Sequence, residues 1–226
     1  MKKTIISCVL FLTAVTAFSQ TPMKTAAEAK LSASDLAVKI ADRILATTTY
    51  EFKNTKTGKT YKSVKNLPLD MNVKVACKYN NWHYTNGVTH IALMELADKT
   101  GAKKYDDYVL KNMNFVFNEG NLDFFKKQYE QAMKNEGWYG VRKLSWHMIF
   151  RGKRLDDNGP MGASLIDLQM KHPNNSFLNY INETAEHLNY GEPRLADGTI
   201  ARIWPHENTI WADDAFLAIS FLARMA

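Results

Sequence analysis

Residues 204–226 run WPHENTIWADDAFLAISFLARMA, a segment with a polar start followed by a helical apolar pattern. Asn208 or Thr209 can cap a helix, and apolar residues then recur at helical spacing over residues 210–225. At about 100° per residue, one broad apolar face comprises Ile210, Trp211, Leu217, Ala218, Phe221, Leu222 and Met225. The stretch predicts an amphipathic helix with a polar start and an apolar body.

Two acidic residues lie in the first turn of this helix. On the helical projection, Asp214 falls inside the apolar face and Asp213 falls at its edge. Acids in a first turn interact favourably with the helix dipole and accept hydrogen bonds from unpaired N–H groups. A purely structural role is therefore one interpretation of the pair, and a role in a polar site is the other.

The same periodicity predicts helices along most of the chain. Ser34 caps a first helix that ends near Thr47, and its apolar stripe comprises Leu36, Ala37, Ile40, Ile44 and Leu45. The later helices are predicted over residues 86–99, 104–118, 122–134, 160–171, 177–190 and 209–225. The predicted class is therefore all-α, with about seven helices.

Glycine and proline mark several of the predicted helix ends. Gly101 and Gly120 suit C-terminal stops, and Pro160 suits the first turn of a helix. Strand-length alternation is absent from the sequence, so β-structure is expected only as short hairpins near residues 50–75 and 194–204. The second of these contains an Asp-Gly turn signal.

The N-terminus has the features of a secretory signal peptide over residues 1–19. Lys2 and Lys3 precede a short apolar run, and small residues precede a predicted cleavage after Ser19. Residues 20–31 then form a polar, flexible leader. The run is too short to span a bilayer, so we predict a periplasmic or secreted protein with no membrane span.

Composition narrows the classes of partner. Without the signal peptide the chain has 27 basic and 23 acidic residues, a mild net charge of +4. No basic helix or stacking motif accompanies this charge, so no nucleic-acid partner is expected. The lysines at 53, 56, 59, 62 and 65 lie in polar sequence and predict a solvated loop. Cys77 is the single cysteine after cleavage, which excludes an internal disulfide in the mature chain.

The sequence lacks the patterns of several common site types. It contains no His-Glu-x-x-His, no Cys-x-x-Cys and no phosphate-binding Gly-x-x-x-x-Gly-Lys, and Gly162-Ala163-Ser164 lacks the second glycine of a nucleophile elbow. The histidines are scattered, at positions 83, 90, 147, 172, 187 and 206. No metal or other cofactor is therefore expected, and carboxylates are the remaining candidates for chemistry.

Three segments, in order along the chain, resemble glycoside hydrolase families 88 and 105, the unsaturated glucuronyl and rhamnogalacturonyl hydrolases. They are NWHYTNG at residues 81–87, RLDDNGPMGA at 154–163, and NTI followed by Trp-x-Asp-x-x-Phe-Leu at 208–217. The resemblance implies an (α/α)6 barrel of six helical hairpins with the active site at one mouth. It also implies hydration of the C4=C5 bond of an unsaturated uronic acid at the end of an oligosaccharide, the product of a polysaccharide lyase such as one acting on rhamnogalacturonan.

The resemblance assigns the catalytic acid and base to Asp213 and a second, substrate-contacting carboxylate to Asp157. An acid that works near neutral pH needs a raised pKa, which burial or a neighbouring acid supplies and a helix N-terminus opposes. The further candidates for substrate binding are Tyr84, Trp82, Trp211, Arg202 and His206.

Each of these assignments has a structural alternative. Asp157 can belong to an Asp-Asn-Gly turn before a helix. Tyr84 and Trp82 can be core residues beside a helix start instead of a wall on which a sugar packs. Arg202 and His206 stand close to the predicted catalytic segment, where they can pair with the substrate carboxylate, although their spacing departs from the family pattern.

A barrel of this family needs twelve helices, and residues 32–226 supply about seven. The resemblance therefore implies the N-terminal portion of such a domain, without the later tryptophan-rich segments. A non-catalytic helical module that binds carbohydrate or acts as a scaffold is the alternative hypothesis, and a tetratricopeptide-like repeat is a third, weakened by irregular helix spacing. Phe216 and Ile219 project away from the apolar stripe of the last helix, so they are expected to lack partners and to promote self-association.

Overall fold

The computed structural model describes residues 32–151, 154–203 and 205–226. These residues contain eight α-helices: α1 (Ala33–Thr47), α2 (Tyr84–Thr100), α3 (Lys104–Val116), α4 (Glu119–Val141), α5 (Met148–Arg151), α6 (Leu155–Lys171), α7 (Asn175–Glu186) and α8 (Ala212–Met225). Three strands lie between α1 and α2: β1 (Phe52–Asn54), β2 (Thr60–Tyr61) and β3 (Val73–Val75). The predicted all-α class is confirmed. The signal peptide and leader predicted over residues 1–31 lie outside the described residues.

Helix α1 contains the boundary between two compact units of the chain, at Ile40. At its N-terminal end, the Ser32 hydroxyl accepts a hydrogen bond from the backbone N–H of Asp35 at 3.1 Å, and the Asp35 carboxylate accepts one from the Ser32 N–H. This reciprocal cap starts the helix at Ala33, so the prediction that Ser34 is the cap is wrong. Residues 41–226 form the larger unit, which holds all the other elements.

Helix α6 is central to the larger unit and packs on both α2 and α8. At their C-terminal ends, Lys171 of α6 donates to Asp98 of α2 at 2.8 Å. Arg224 of α8 donates to Asp167 of α6, also at 2.8 Å. The C-terminal ends of the three helices therefore lie together.

Two glycines bring the N-terminal halves of the same helices into backbone contact. Gly87 of α2 lies against the backbone of Pro160 in α6, and Gly159 of α6 lies against the carbonyl of Leu217 in α8. A Cβ atom at either glycine would overlap the neighbouring backbone. Since like ends meet at both ends, α2, α6 and α8 run parallel, with their first turns on one side of the molecule.

The helices outside this layer complete helical hairpins. Helix α3 packs on α2, and α7 packs on α6. Gly101 ends α2 with a φ of +70°, and its N–H bonds to the carbonyl of Ala97 at 2.8 Å, which confirms the predicted stop. Asn174 caps α7 by accepting from the N–H of Ser176 at 2.8 Å. Short connections therefore return the chain antiparallel after α2 and after α6.

The strands form one small antiparallel sheet of order β2-β1-β3, with Phe52 paired to Tyr61 on one side and to Val75 on the other. The Phe52 ring packs on the rings of Phe124 and Phe125 in α4. The short hairpin expected near residues 50–75 is therefore a three-stranded sheet that covers α4.

A continuous hydrophobic core joins the sheet and the helices. Its largest fully buried side chains are Trp82, Trp146, Tyr105, Phe52, Phe177 and Phe221. Burial of each such side chain contributes about 1.5–3 kcal/mol to the free energy of folding. None of the described helices has the length and apolar character needed to cross a membrane.

Several helix boundaries differ from those predicted. Helix α4 starts at Glu119, so Gly120 lies in its first turn and is not a stop, and it continues past a break at Gly137, where φ is +59°. Helix α6 starts at Leu155, five residues earlier than predicted, which places Pro160 in its second turn. Helix α7 passes into a π-helical turn over His187–Gly191.

The start of α8 also differs from the prediction. Thr209 is not a cap, because its backbone pairs with that of Arg202 in a short antiparallel bridge. Asn208 has a φ of +59° and belongs to the turn between them. The helix begins at Ala212, with Trp211 at the N-cap position. The hairpin signal around residues 194–204 is confirmed as a single bridge between Arg194 and Ile200.

Candidate functional site

The first turns of α2, α6 and α8 form one end of the parallel layer. Two of these turns carry adjacent acids, Asp156 and Asp157 in α6 and Asp213 and Asp214 in α8. The three sequence segments that carry the family resemblance therefore meet in space, although the first and the last are more than a hundred residues apart in the chain. The sequence Asp157-Asn158-Gly159 is helical and not a turn before the helix.

Asp157 is buried and paired with an arginine. Its carboxylate accepts two hydrogen bonds from the guanidinium of Arg151, and the two side chains are 1% and 13% exposed. The guanidinium lies over the ring of Trp138, 5.0 Å from its centroid. Burial raises the pKa of the Asp157 carboxyl above its ordinary value, and the Arg151 charge acts in the opposite direction.

Trp82 supports this arrangement from the core. Its indole N–H donates to the backbone carbonyl of Asp157 at 2.7 Å, and its ring packs edge-on against Tyr180 and Phe117. Only 1% of the residue is exposed. The prediction that Trp82 forms an accessible wall for a sugar is therefore wrong, because its ring faces are covered by the core. Trp82 instead joins the start of α2 to the first turn of α6.

Asp214 has the same kind of partner at the start of α8. Arg202 donates from Nε to both of its carboxylate oxygens, at 2.9 and 2.7 Å, and from Nη2 at 2.6 Å. The Nη2 atom also lies 3.3 Å from Oδ1 of Asp156 in α6. The guanidinium lies over the ring of Trp211, 4.3 Å from its centroid. Two arginines stacked on tryptophans thus flank the first turn of α6, one holding Asp157 and one holding Asp156 and Asp214.

Asp213 is exposed in the first turn of α8, between Trp211 and the buried Asp214. The pKa of Arg202 is raised, chiefly by its hydrogen bonds with Asp214 and further by the charges of Asp156 and Asp213. The Asp213 carboxylate therefore lies within electrostatic reach of the Arg202 guanidinium. It is the accessible acid of this pair, and Asp214 is the structural one.

Other predicted site residues lie around the same end. Tyr84, the first residue of α2, is 41% exposed, and its ring packs on that of His83 at 4.5 Å between centroids. The pKa of His83 is lowered by burial, while the charge of Asp156 acts to raise it. Trp211 is 42% exposed, and His206 is exposed in the turn before α8. These side chains are accessible, unlike those of Trp82 and Asp157.

A cleft of about 870 Å³ opens beside the first turn of α6. This volume lies within the range of about 300–1,000 Å³ that is typical of small-ligand sites. Its lining combines three aromatic side chains with polar and charged ones. The lining residues are Tyr129, Trp138, Phe150, Arg151, Arg154, Leu155, Asp156, His187, Gly191, Glu192, Pro193, Ala201, Arg202, Ile203 and Asp214. Of the predicted site residues that the structure describes, Arg202 lines the cleft, and Asp157 and Asp213 each adjoin a lining residue.

The π-helical turn contributes a further carboxyl to this cleft. Glu192 follows the turn, and its side chain lies 3.1 Å from Nε2 of His187. Burial raises the pKa of the Glu192 carboxyl, the nearby His187 lowers it, and the charge of Asp214 raises it. Helices with π-type turns are frequent at functional sites. A Cβ at Gly191 would overlap Nδ1 of His187, so a larger residue at this position would displace the His187 ring.

Sequence reasoning missed several residues that build this end of the molecule. Trp138, Arg151, His187 and Glu192 belong to no recognised motif, and they pair with one another or with Asp157 at spacings of 5 to 13 residues that follow no helical or strand period. The weak signal for Arg151 was its position six residues before Asp157. No group of three or more potential metal ligands occurs among the described residues.

Comparison with known proteins identifies the family. The sequence model of Glycosyl Hydrolase Family 88 matches residues 54–226. A comparison with curated proteins gives no match. Because the family match covers more than half of the chain and includes all three motif segments, the protein belongs to glycosyl hydrolase family 88, an (α/α)6-barrel family of glycoside hydrolases that act on unsaturated uronyl substrates.

Proposed function

We propose that this protein hydrates the C4=C5 double bond of unsaturated uronyl oligosaccharides released by polysaccharide lyases, such as those from rhamnogalacturonan or a related polymer. The observation that carries the proposal is the meeting of the first turns of α2, α6 and α8 beside an open cleft, with Asp213 exposed there and Asp214 and Asp157 held by arginines.

Asp213 is the proposed general acid and base. Its protonated carboxyl donates a proton to C4 of the unsaturated uronate while positive charge develops at C5. The resulting carboxylate then accepts a proton from the water molecule that adds at C5. The product is a hemiketal at C5, which opens and releases the neighbouring sugar, so no bond at the anomeric carbon is attacked directly. Exposure of Asp213 supports this role, because the carboxyl must reach both substrate and water.

The substrate-binding roles follow from the accessible side chains around Asp213. We propose that the exposed rings of Tyr84 and Trp211 pack on the sugar, as aromatic faces commonly do with apolar ring surfaces. His206, exposed on the turn before α8, supplies a positive or hydrogen-bonding group for the uronate carboxylate. Asp157 contributes through Arg151, which lines the cleft while it binds Asp157.

The test is turnover of an unsaturated uronyl disaccharide. Turnover is measured as the loss of the ultraviolet absorbance of the conjugated uronate. Replacement of a general acid costs about 100-fold to 10,000-fold in rate, so Asp213→Asn is expected to lose at least about 100-fold in kcat while it still binds the sugar. Asp123→Asn is the matched control, because Asp123 is an exposed acid on α4 that pairs with Lys127.

The outcomes separate the hypotheses. Wild-type turnover in Asp213→Asn would remove Asp213 from the proposed role. Binding of the sugar without turnover by the unaltered protein would instead favour the alternative of a non-catalytic carbohydrate-binding module. Equal losses in Asp213→Asn and Asp123→Asn would indicate a general effect of charge removal.

We also propose that the protein is exported to the periplasm or secreted after removal of residues 1–19. The charged and apolar pattern of these residues supports this proposal. N-terminal sequencing of the mature protein tests it: a start close to Gln20 is expected, and retention of Met1 on the bulk of the protein would contradict it.

A further inference from the structure

We propose that Arg202 is a positioning residue that holds the first turn of α8, and with it the Asp213 carboxyl, in register with the first turn of α6. The inference rests on the proposed role of Asp213 for its consequence in catalysis. It differs from a substrate-binding role for Arg202, because the guanidinium acts on the protein and not on the sugar.

The first observation is the direction in which the guanidinium donates. Arg202 makes three hydrogen bonds of 2.6–2.9 Å to the Asp214 carboxylate and a longer one to Asp156. The side chains of Arg202 and Asp214 are only 13% and 6% exposed. A guanidinium bound to a carboxylate through two nitrogen atoms is fixed in its plane as well as in its position.

The second observation is that Arg202 contacts residues on both sides of Asp213, two positions before it and one position after it. On one side, its guanidinium lies 4.3 Å from the centroid of the Trp211 ring. On the other side, it binds the Asp214 carboxylate, whose Oδ2 also accepts the backbone N–H of Trp211 at 3.1 Å. The hydrogen bond between Asp214 and Trp211 therefore closes the turn that contains Asp213, and Arg202 holds both ends of that turn.

The third observation is that Arg202 itself is anchored. Its backbone N–H donates to the carbonyl of Thr209 at 2.8 Å, within the short bridge that precedes α8. Its bond to Asp156 reaches the first turn of α6, the helix that packs along the whole of α8. Arg202 thus joins three segments at one point, and movement of any of them would displace Asp213.

A misplacement of about 1 Å can cost about 100-fold in the rate of an enzyme. Lysine retains the charge of arginine but presents a point charge on a flexible stem, so it cannot keep two nitrogen atoms on one carboxylate. We therefore expect Arg202→Lys to lower kcat by about 10-fold to 100-fold while KM changes by less than about threefold. A ligand for the substrate carboxylate would show the opposite pattern, with KM raised most.

Arg224 provides the matched control. It joins the same two helices, α8 and α6, through Nε to Asp167 at 2.8 Å, but at their C-terminal ends. Arg224→Lys is expected to change neither kcat nor KM by more than about twofold. Unfolding midpoints measured for both variants separate loss of stability from loss of positioning.

A second readout does not depend on activity. In Arg202→Lys, hydrogen exchange at the amides of residues 211–215 is expected to be at least tenfold faster, and in Arg224→Lys it is expected to be unchanged. Guanidinium ion added to Arg202→Ala is expected to restore part of kcat, because the small ion can occupy the vacated position. Asp214→Asn, which keeps the side-chain size, provides a second variant if Arg202→Ala does not fold.

The results distinguish two failures. If the wild-type protein turns over substrate and Asp213→Asn does not, but Arg202→Lys behaves like Arg224→Lys in kcat and in exchange, the positioning role is wrong and the proposed function stands. An increase in KM alone in Arg202→Lys would also overturn the inference, in favour of substrate binding. If the wild-type protein shows no turnover, the proposed function fails, and the exchange comparison alone decides whether Arg202 holds the first turn of α8.

Discussion

The two ends of the α2–α6–α8 layer are fastened in different ways. At the N-terminal end, the ion pairs are Arg151 with Asp157 and Arg202 with Asp214, and in both pairs the carboxylate is almost completely buried. At the C-terminal end, Lys171 binds Asp98 and Asp106, and Arg224 binds Asp167, with side chains that are 20–63% exposed. The same three helices are joined at both ends.

The difference in burial gives the two sets of ion pairs different energetic costs. Exposed ion pairs contribute about 0–1 kcal/mol each and place few demands on their surroundings. Buried pairs require removal of two charges from water and are often no more stabilising than apolar residues of similar size. Buried, hydrogen-bonded charges at one end of the layer therefore agree with the proposed function, which needs fixed carboxylates beside the cleft.

Removal of one cationic side chain from each end should give the largest difference in the free energy of unfolding. Arg151→Met leaves the Asp157 carboxylate buried without its counter-charge and is expected to lower the free energy of unfolding by about 3–5 kcal/mol. Lys171→Met removes the same charge at the other end, from partners that water can solvate, and is expected to cost about 1 kcal/mol or less. Urea unfolding of both variants at neutral pH measures the two values. Equal losses would show that the two ends do not differ energetically.

Low pH should destabilise the protein through His90, a buried histidine between the two ends of the layer. His90 in α2 is 2% exposed, and burial lowers its pKa to about 4. The unfolded chain, with a pKa near 6.5, then binds more protons than the folded chain between pH 6.5 and pH 4. Stability therefore falls as the pH falls through this window, by about 3 kcal/mol between pH 7 and pH 4.

Two variants isolate the contribution of His90. His90→Leu should remove this part of the pH dependence, whereas His206→Gln, at an exposed position, should leave it unchanged. Urea midpoints at pH 7, 5.5 and 4 give the comparison. An unchanged pH slope in His90→Leu would assign the acid sensitivity to other groups.

The sequence predicted the elements of this molecule better than it predicted their ends. The apolar periodicity of residues 210–225 was sufficient to predict α8 and to place Asp214 on its buried face, and 5% exposure of Asp214 confirms that placement. The start of the helix was wrong because Thr209 is a good local cap, yet its backbone is used by Arg202. The backbone pairing of Thr209 with Arg202, which depends on tertiary structure, therefore outweighed the local preference of Thr209 for the cap position.

The residues of the candidate site also divide into those that the sequence could identify and those that only the structure identifies. The motif residues Asp157 and Asp213 could be named from the resemblance, and the structure brings their helices together. The partners Arg151 and Trp138 could not be named, because an arginine that pairs with a particular aspartate leaves no pattern of its own in a single sequence. Gly87 and Gly159 were visible in the motifs, but only the structure shows that they allow helix backbones to touch.

The close backbone contact at the N-terminal end gives a smaller effect than loss of a buried charge partner. Gly159→Ala places a methyl group against the carbonyl of Leu217, which neither helix can avoid without moving, and is expected to cost about 2 kcal/mol. Gly120→Ala is the control, because its nearest neighbour is a flexible side-chain atom of Val64 at 3.3 Å. That variant should remain within about 0.5 kcal/mol of wild type. Similar unfolding midpoints for the two variants would show that α6 and α8 can separate without cost.

The smallest effect on stability is expected on the outer face of α8, where neither kind of ion pair operates. Phe216 and Ile219 are 52% and 60% exposed, as the helical projection predicted. Phe216→Gln and Ile219→Gln therefore remove little buried surface, and each should change the free energy of unfolding by less than about 0.5 kcal/mol.

Exposed apolar side chains three residues apart on one helix form an apolar surface patch, so the same variants should lower self-association. Sedimentation velocity over a range of protein concentrations measures self-association. The wild type is expected to form larger species as concentration rises, and the double variant that carries both Phe216→Gln and Ile219→Gln is expected to remain monomeric. Leu178→Gln is the control, because Leu178 is 43% exposed on α7, away from that face. A monomeric wild type, or equal self-association in all three proteins, would show that the outer face of α8 does not mediate contacts between copies of the chain.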